Sequence, residues 1–127
     1  MSKKKLVIHE SEGEIVPDIC GIAIEIINPE TAGSTKISFA KLIIASGQRS
    51  RRHHHEKTEE IYYIISGFGR VIVGDQEFDV GPGHTVFIPM RTQHEVVNTA
   101  TDDLIFVCAD APVFDPDDVF EAQATVI

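Results

Sequence analysis

The chain has 127 residues, a formal net charge of −9, and 43% hydrophobic against 24% charged residues. That length suits one domain around a single core, and the apolar fraction lies outside the disordered class. Basic residues cluster only at Lys3, Lys4 and Lys5 and at Arg49, Arg51 and Arg52, so the acidic balance argues against a nucleic-acid partner.

Apolar runs such as Ile61–Ile65 are far shorter than a bilayer span, and His9-Glu10 interrupts the opening stretch before a signal-peptide core develops. The expectation is a cytoplasmic protein without a membrane partner. Cys20 and Cys108 are far apart in sequence and lack any Cys-x-x-Cys context, which suits two reduced thiols rather than a disulfide framework.

In chain order, Lys5–His9 reads as an edge strand able to pair with a neighbouring subunit. From Ile22 onward, short runs of Ile, Val, Phe, Thr and Tyr alternate with Gly and Pro, the pattern of an all-β sandwich or barrel. Strands are predicted over Ile22–Ile27, Lys36–Ile44, Arg51–His55, Glu60–Ser66, Gly69–Val73, Glu77–Val80, Thr85–Ile88, His94–Asn98 and Leu104–Ala109. Gly74-Asp75 reads as a tight hairpin turn, with glycine supplying positive φ. Gly67-Phe68-Gly69 lacks the following helix that a phosphate loop requires. Residues 101–127 hold seven acidic residues and no Lys or Arg, and Asp115-Pro116-Asp117-Asp118 reads as a helix start, so a short terminal helix or an acidic tail is expected.

The chemistry concentrates at His53-His54-His55, followed by Glu59-Glu60 and later by His94. On a strand, side chains alternate faces, so His53 and His55 share one side and His54 takes the other. One of the two carboxylates projects to that same side, and His94 can supply a third imidazole from a later strand. Three imidazoles and a carboxylate make a mixed N/O site for a divalent ion with positions left open. His9, His54 and His84 read as ordinary surface or structural histidines, and the His run lies inside a β pattern rather than at a terminus, unlike a purification tag.

Gly47-x5-His53-x-His55-x4-Glu60-x6-Gly67 resembles the first motif of the cupin superfamily, and Gly83-x5-Pro89-x4-His94-x3-Asn98 is similar to the second. The flanking strands extend the likeness over residues 35–109 of a single domain spanning 1–127. The resemblance implies a double-stranded β-helix, or jelly-roll, barrel with His53, His55, Glu60 and His94 as ligands of one divalent metal ion. Iron or manganese is favoured, and zinc, nickel, cobalt or copper would also fit such donors. Only Glu60 leaves six residues before Gly67, and it shares strand phase with Tyr62 and Ile64. Arg91 stands where the second motif usually has glycine, and a non-glycine residue fits there if its φ is negative.

Strand phase puts Tyr62 beside Glu60, Arg51 beside His53, and Val96 and Asn98 beside His94. Tyr62 is therefore the candidate catalytic side chain, a hydrogen-bond or proton donor. Arg51 and Asn98 are the candidate substrate contacts, with Arg49, Arg51 and Arg52 expected to steer an anionic small molecule inward. The resemblance implies a metal-dependent enzyme acting on a carboxylate or hydroxy/keto compound, with oxygen-dependent cleavage ranked first and isomerisation or decarboxylation next. The alternative is a barrel that binds a sugar or aromatic acid without chemistry. Ile61, Tyr63 and Ile65 fall on the opposite strand face, so a homodimer burying a sheet is expected.

Overall fold

The computed structural model describes residues 4–18 and 21–122. The strands are β1 (Glu14–Asp18), β2 (Gly21–Ile27), β3 (Ser38–Ile44), β4 (His53–His54), β5 (Glu59–Ser66), β6 (Gly69–Val73), β7 (Gln76–Val80), β8 (Thr85–Ile88), β9 (His94–Asn98), β10 (Leu104–Ala111) and β11 (Phe120–Glu121). Two antiparallel sheets face each other as a jelly roll. One has the order β1-β2-β3-β10-β5-β8 and the other β11-β4-β9-β6-β7. Among the described residues, no helix is long and apolar enough to cross a membrane.

The inward-facing stripes are apolar at one end of the barrel and polar at the other. On β5 the stripe runs Glu60, Tyr62, Ile64, and on β10 it runs Asp110, Cys108, Phe106, all buried. β9 contributes His94, Val96 and Asn98, and β3 contributes Ser38, Leu42 and Ile44. Tyr62, Ile64, Phe106, Leu104, Ile44, Val71 and Val96 interlock as a core shared by both sheets. At roughly 1.5–3 kcal/mol per buried large apolar side chain, this end anchors the fold. The opposite end is free to hold polar groups.

Four local features differ from expectation. Lys5–His9 is not a strand: Leu6 and Val7 stand exposed, and the His9 side chain caps a 3-10 turn over Glu10–Glu12. The edge strand is instead β1, whose Pro17 sits opposite Ile22 at the sheet border, where a missing N–H costs no ladder bond. The first histidine strand shortens to His53–His54, because Ser50 bonds Val96 with both its backbone N–H and its Oγ in place of regular ladder contacts. The acidic C-terminal stretch, as far as residue 122, starts a helix at the expected place but holds only one 3-10 turn of it. Asp115 caps one 3-10 turn over Pro116–Asp118, and β11 then pairs with β4, with Phe120 stacked on the His54 ring. Cys108 is a buried free thiol, and Cys20 lies outside the described residues.

Several turns adopt positive φ, two of them at tightly held positions. Gly67, between β5 and β6, has φ +86°, and a Cβ there would meet the Asp103 carbonyl oxygen at 2.4 Å. Arg91 also adopts positive φ, at 60°, contrary to the negative value that would have suited a side chain. Its N–H is held at 2.6 Å by the carbonyl of His55, which fixes the turn against the histidine strand. A side chain in this region costs about 1–2 kcal/mol. Arg91→Gly is therefore expected to hold or raise stability, while Arg91→Val, branched at Cβ, should fall about 1–2 kcal/mol below it in urea unfolding.

Candidate metal centre

Strand register assembles the site. His53 lies directly opposite His94 in the β4–β9 pair, and Glu60 lies opposite Asp110 in the β5–β10 pair. These two cross-strand pairs face each other across the barrel mouth, with His55 placed just after β4. His53, His55, Glu60 and His94 are all buried, and each offers a donor atom within 4.8 Å of the others. Glu59 is exposed, so the carboxylate is Glu60.

Each imidazole is oriented by a backbone carbonyl. His53 Nδ1 lies 2.7 Å from the Arg51 oxygen, His94 Nδ1 2.9 Å from the Thr92 oxygen, and His55 Nδ1 2.8 Å from the Asp118 oxygen. A carbonyl only accepts, so Nδ1 carries the proton in all three rings and Nε2 is the free donor atom. Glu60 Oε1 stands 2.9 Å from His55 Nε2 and 3.1 Å from His94 Nε2. Glu60 Oε1 and His94 Nε2 nevertheless have no hydrogen-bond partner. Buried polar atoms are rarely left so, and their spacing of about 3 Å is what neighbouring ligands of an ion with bonds of about 2.1 Å require. The donor set fits a divalent cation.

The histidines differ in their electrostatics: burial works to lower His55, but the Glu60 carboxylate beside it outweighs burial and raises it. Burial, and then the neighbouring His94, lower His53 to about 4, so its ring is neutral and available as a ligand at neutral pH. Burial works to raise Glu60, but His55 and His94 outweigh it and hold the carboxyl well below its usual range. Asp110 shows the opposite behaviour: burial, and then the Glu60 charge, push it up to about 9. The Cys108 thiol sits between the two carboxyls, 3.1 Å from Glu60 Oε2 and 3.1 Å from Asp110 Oδ1, and burial pushes its own pKa well up.

The cavity at this centre is small, ≈30 Å³, and Tyr62, Asp110, Glu25, Asp18 and Phe114 complete its wall. Tyr62 is almost fully buried, its ring 6.3 Å from His94 and 4.9 Å from Phe106. Outside lies a vestibule of ≈480 Å³ that shares Asp18, Glu25 and Phe114 with the inner cavity. Arg51 lies on its rim, mostly exposed and paired with Glu121 at 2.9 Å.

Asn98 does not line the cavity. It shares the phase of His94 but sits four residues along β9, about 13 Å away. Its amide donates to the carbonyls of Ile44 and Asp102, and its Oδ1 accepts from the Ala100 N–H, so it is committed to closing a turn. The other arginines also point elsewhere: Arg49 pairs with Glu95, and Arg52 bonds Gln93 and the Gly74 carbonyl. Of the three arginines, Arg51 is the one that stands at the vestibule.

Two contributors lay outside the sequence reading. Asp118 supplies the carbonyl for His55, and its buried carboxylate accepts the N–H groups of Glu56 and Lys57 at 2.9 and 3.1 Å, locking the loop after the histidines. Asp110 is visible only through strand pairing.

Removing the side chain that holds this loop, in Asp118→Ala, should weaken divalent-ion affinity by about tenfold or more in calorimetric titration. Asp110 gives a pH signature in the metal-free protein. Its folded pKa of about 9 lies above the usual 3.8, so its stabilising contribution is complete below that lower value and is lost as pH rises towards 9. Urea midpoints of the metal-free protein should accordingly decline over that interval, and Asp110→Asn should flatten the decline.

A protein-family profile described as Cupin domain matches residues 40–110. An uncharacterized protein of Methanocaldococcus jannaschii is 32% identical over 94 residues, covering 74% of this chain and 75% of its own. The 5-aminosalicylate 1,2-dioxygenase of Comamonas sp. is 27% identical over 106 residues, a match spanning 82% of this chain and only 28% of the dioxygenase. Among solved structures, the Streptomyces nucleoside dehydratase Pac13 superposes with a TM-score of 0.79 at 14% identity, covering 94% of this chain and 92% of that one, which is a likeness of fold. With the motif region matched and the jelly roll and its His/Glu centre in place, the chain belongs to the cupin domain family.

Proposed function

We propose that this cupin is a metal-dependent enzyme acting on a small oxygenated compound, with oxygen-dependent cleavage the leading reaction and isomerisation or decarboxylation the next. The observation that carries the reading is the convergence of three carbonyl-oriented imidazoles on the unpartnered Glu60 Oε1. The partial likeness to an aromatic-ring dioxygenase supports the ranking. Iron or manganese is the proposed ion. Such an ion would supply Lewis acidity towards a substrate oxygen, and dioxygen chemistry in the case of iron.

The chain's own groups do the rest. His53, His55, His94 and Glu60 hold the ion, and Phe114 and Tyr62 wall the cavity against bulk water. Tyr62 is the proposed catalytic residue, holding a proton at its hydroxyl beside the reacting atoms. The small inner cavity admits only the reacting end of a substrate, with the remainder in the vestibule. A cytoplasmic setting is proposed alongside, in keeping with the free thiol of Cys108.

The test uses protein purified without nickel affinity, analysed for metal, loaded with iron or manganese, and assayed with ring-hydroxylated acids and hydroxy/keto compounds with and without oxygen. One ion per chain is expected, lost in His55→Ala and Glu60→Gln, together with oxygen-dependent turnover that falls about 100-fold in Tyr62→Phe while metal content is kept. Turnover that persists anaerobically removes the dioxygenase reading. Ligand binding that survives loss of the metal favours the non-catalytic barrel.

A homodimer is proposed through the outer face of the six-stranded sheet, where Ile61, Tyr63 and Ile65 on β5 and Phe87 on β8 are each about half exposed in one continuous patch. Light scattering should give twice the chain mass, and Ile61→Lys should return the monomer.

A further inference from the structure

A free cysteine buried in a core ordinarily packs as a small hydrophobe. Cys108 belongs to the apolar cluster, yet its Sγ lies 3.1 Å from Glu60 Oε2 and 3.1 Å from Asp110 Oδ1. Register produces both contacts. Cys108 and Asp110 are two residues apart on β10 and so share a face, with Asp110 opposite Glu60 and Cys108 opposite Tyr62. The thiol therefore reaches Glu60 diagonally, from a strand held between β3 and β5 in the six-stranded sheet.

The two oxygens of Glu60 thereby meet different partners. Oε1 stands 2.9 Å from His55 Nε2 and 3.1 Å from His94 Nε2, while Oε2 faces the thiol. A thiol is protonated at neutral pH and carries one hydrogen, so it donates to one carboxyl at a time. An ionised carboxylate is the stronger acceptor, and a cation at Oε1 keeps Glu60 ionised without using Oε2. The thiol hydrogen therefore goes to Glu60, and the contact with Asp110 runs the other way, from a carboxyl O–H to the sulfur. Such a bond matters for a glutamate because its terminal torsion is broad and roughly two-fold, so that either oxygen can otherwise turn inward. Cysteine has a single side-chain torsion, which lets the strand itself place the sulfur.

We infer that Cys108 is the positioning residue of Glu60, its thiol holding Oε2 so that Oε1 is the oxygen presented to an ion among the three histidines. The inference rests on the reading of the centre as a metal site and adds to it a residue outside the ligand set. Without the thiol, the carboxylate can turn, and the ligand loses its preset orientation.

The experiment loads the metal-free protein with Co(II), whose visible absorption bands report the number and arrangement of its ligands, and measures affinity by competition with a chelator. The native chain is compared with Cys108→Ala and Cys108→Ser. Alanine and serine leave nearly the same volume, so the difference between them isolates the donor from the packing. Cys108→Ala should bind Co(II) about tenfold more weakly, the usual scale for removing a group that orients a ligand, with bands changed in position and intensity. Cys108→Ser should recover most of the lost affinity and the native spectrum. Cys108→Val, which fills the space without a donor, should follow alanine.

Native affinity and spectrum in Cys108→Ala and Cys108→Val overturn the inference, and so does a Cys108→Ser indistinguishable from them. A native chain that takes up no cobalt sinks the metal reading itself and the inference with it, whereas cobalt bound without regard to residue 108 sinks the inference alone. Circular dichroism of the metal-free variants verifies that each comparison is made between folded chains.

Discussion

Register in two pairs of antiparallel strands is the constraint on which the rest of this molecule depends. β4 against β9 sets His53 opposite His94, and β5 against β10 sets Glu60 opposite Asp110. A slip of one residue in either pair would turn its members to the outer face, because side chains alternate along a strand. What prevents the slip lies further along the same strands. Ile64, Phe106 and Val96 are locked into the apolar half of the barrel, so the core that stabilises the fold also indexes the polar end. The metal centre needs no separate scaffold.

Polar groups at that end are arranged so that each has one remaining direction in which to bond. The imidazole Nδ1 atoms are spent on carbonyls, which leaves Nε2, and Glu60 is held ionised among the rings while Asp110 beside it retains its proton. Two buried carboxyls in contact cannot both carry charge cheaply, and the protein separates them by environment, one among imidazoles and one behind a thiol. The result is a pocket whose base favours positive charge, because Glu60 Oε1 and His94 Nε2 lack partners there.

Much of this arrangement was legible in the amino-acid sequence. The phase of His53 and His55, the spacing that selects Glu60 over Glu59, and the later His94 follow from period-two alternation and motif spacing, and the principal strands lie close to their predicted positions. Other parts have no local signal. The partner of His55 is a backbone oxygen, and any residue at position 118 would offer one. Asp110 depends on which strand pairs with β5, which a single strand pattern does not reveal. Asn98 shows that phase places a side chain on a face but not at a given depth along it. Arg91 shows that a residue disfavoured at positive φ can still be held there by tertiary contact, here with the His55 carbonyl.

His55 and the carbonyl that orients it are separated by 63 positions. On the ribosome, the histidine strand emerges long before its orienting oxygen, so an ion meeting the nascent chain finds an imidazole free to rotate. Only when β11 zips onto β4 does the ring acquire a fixed heading. An ion held at this centre would meet the third imidazole in its fixed heading only after that closure.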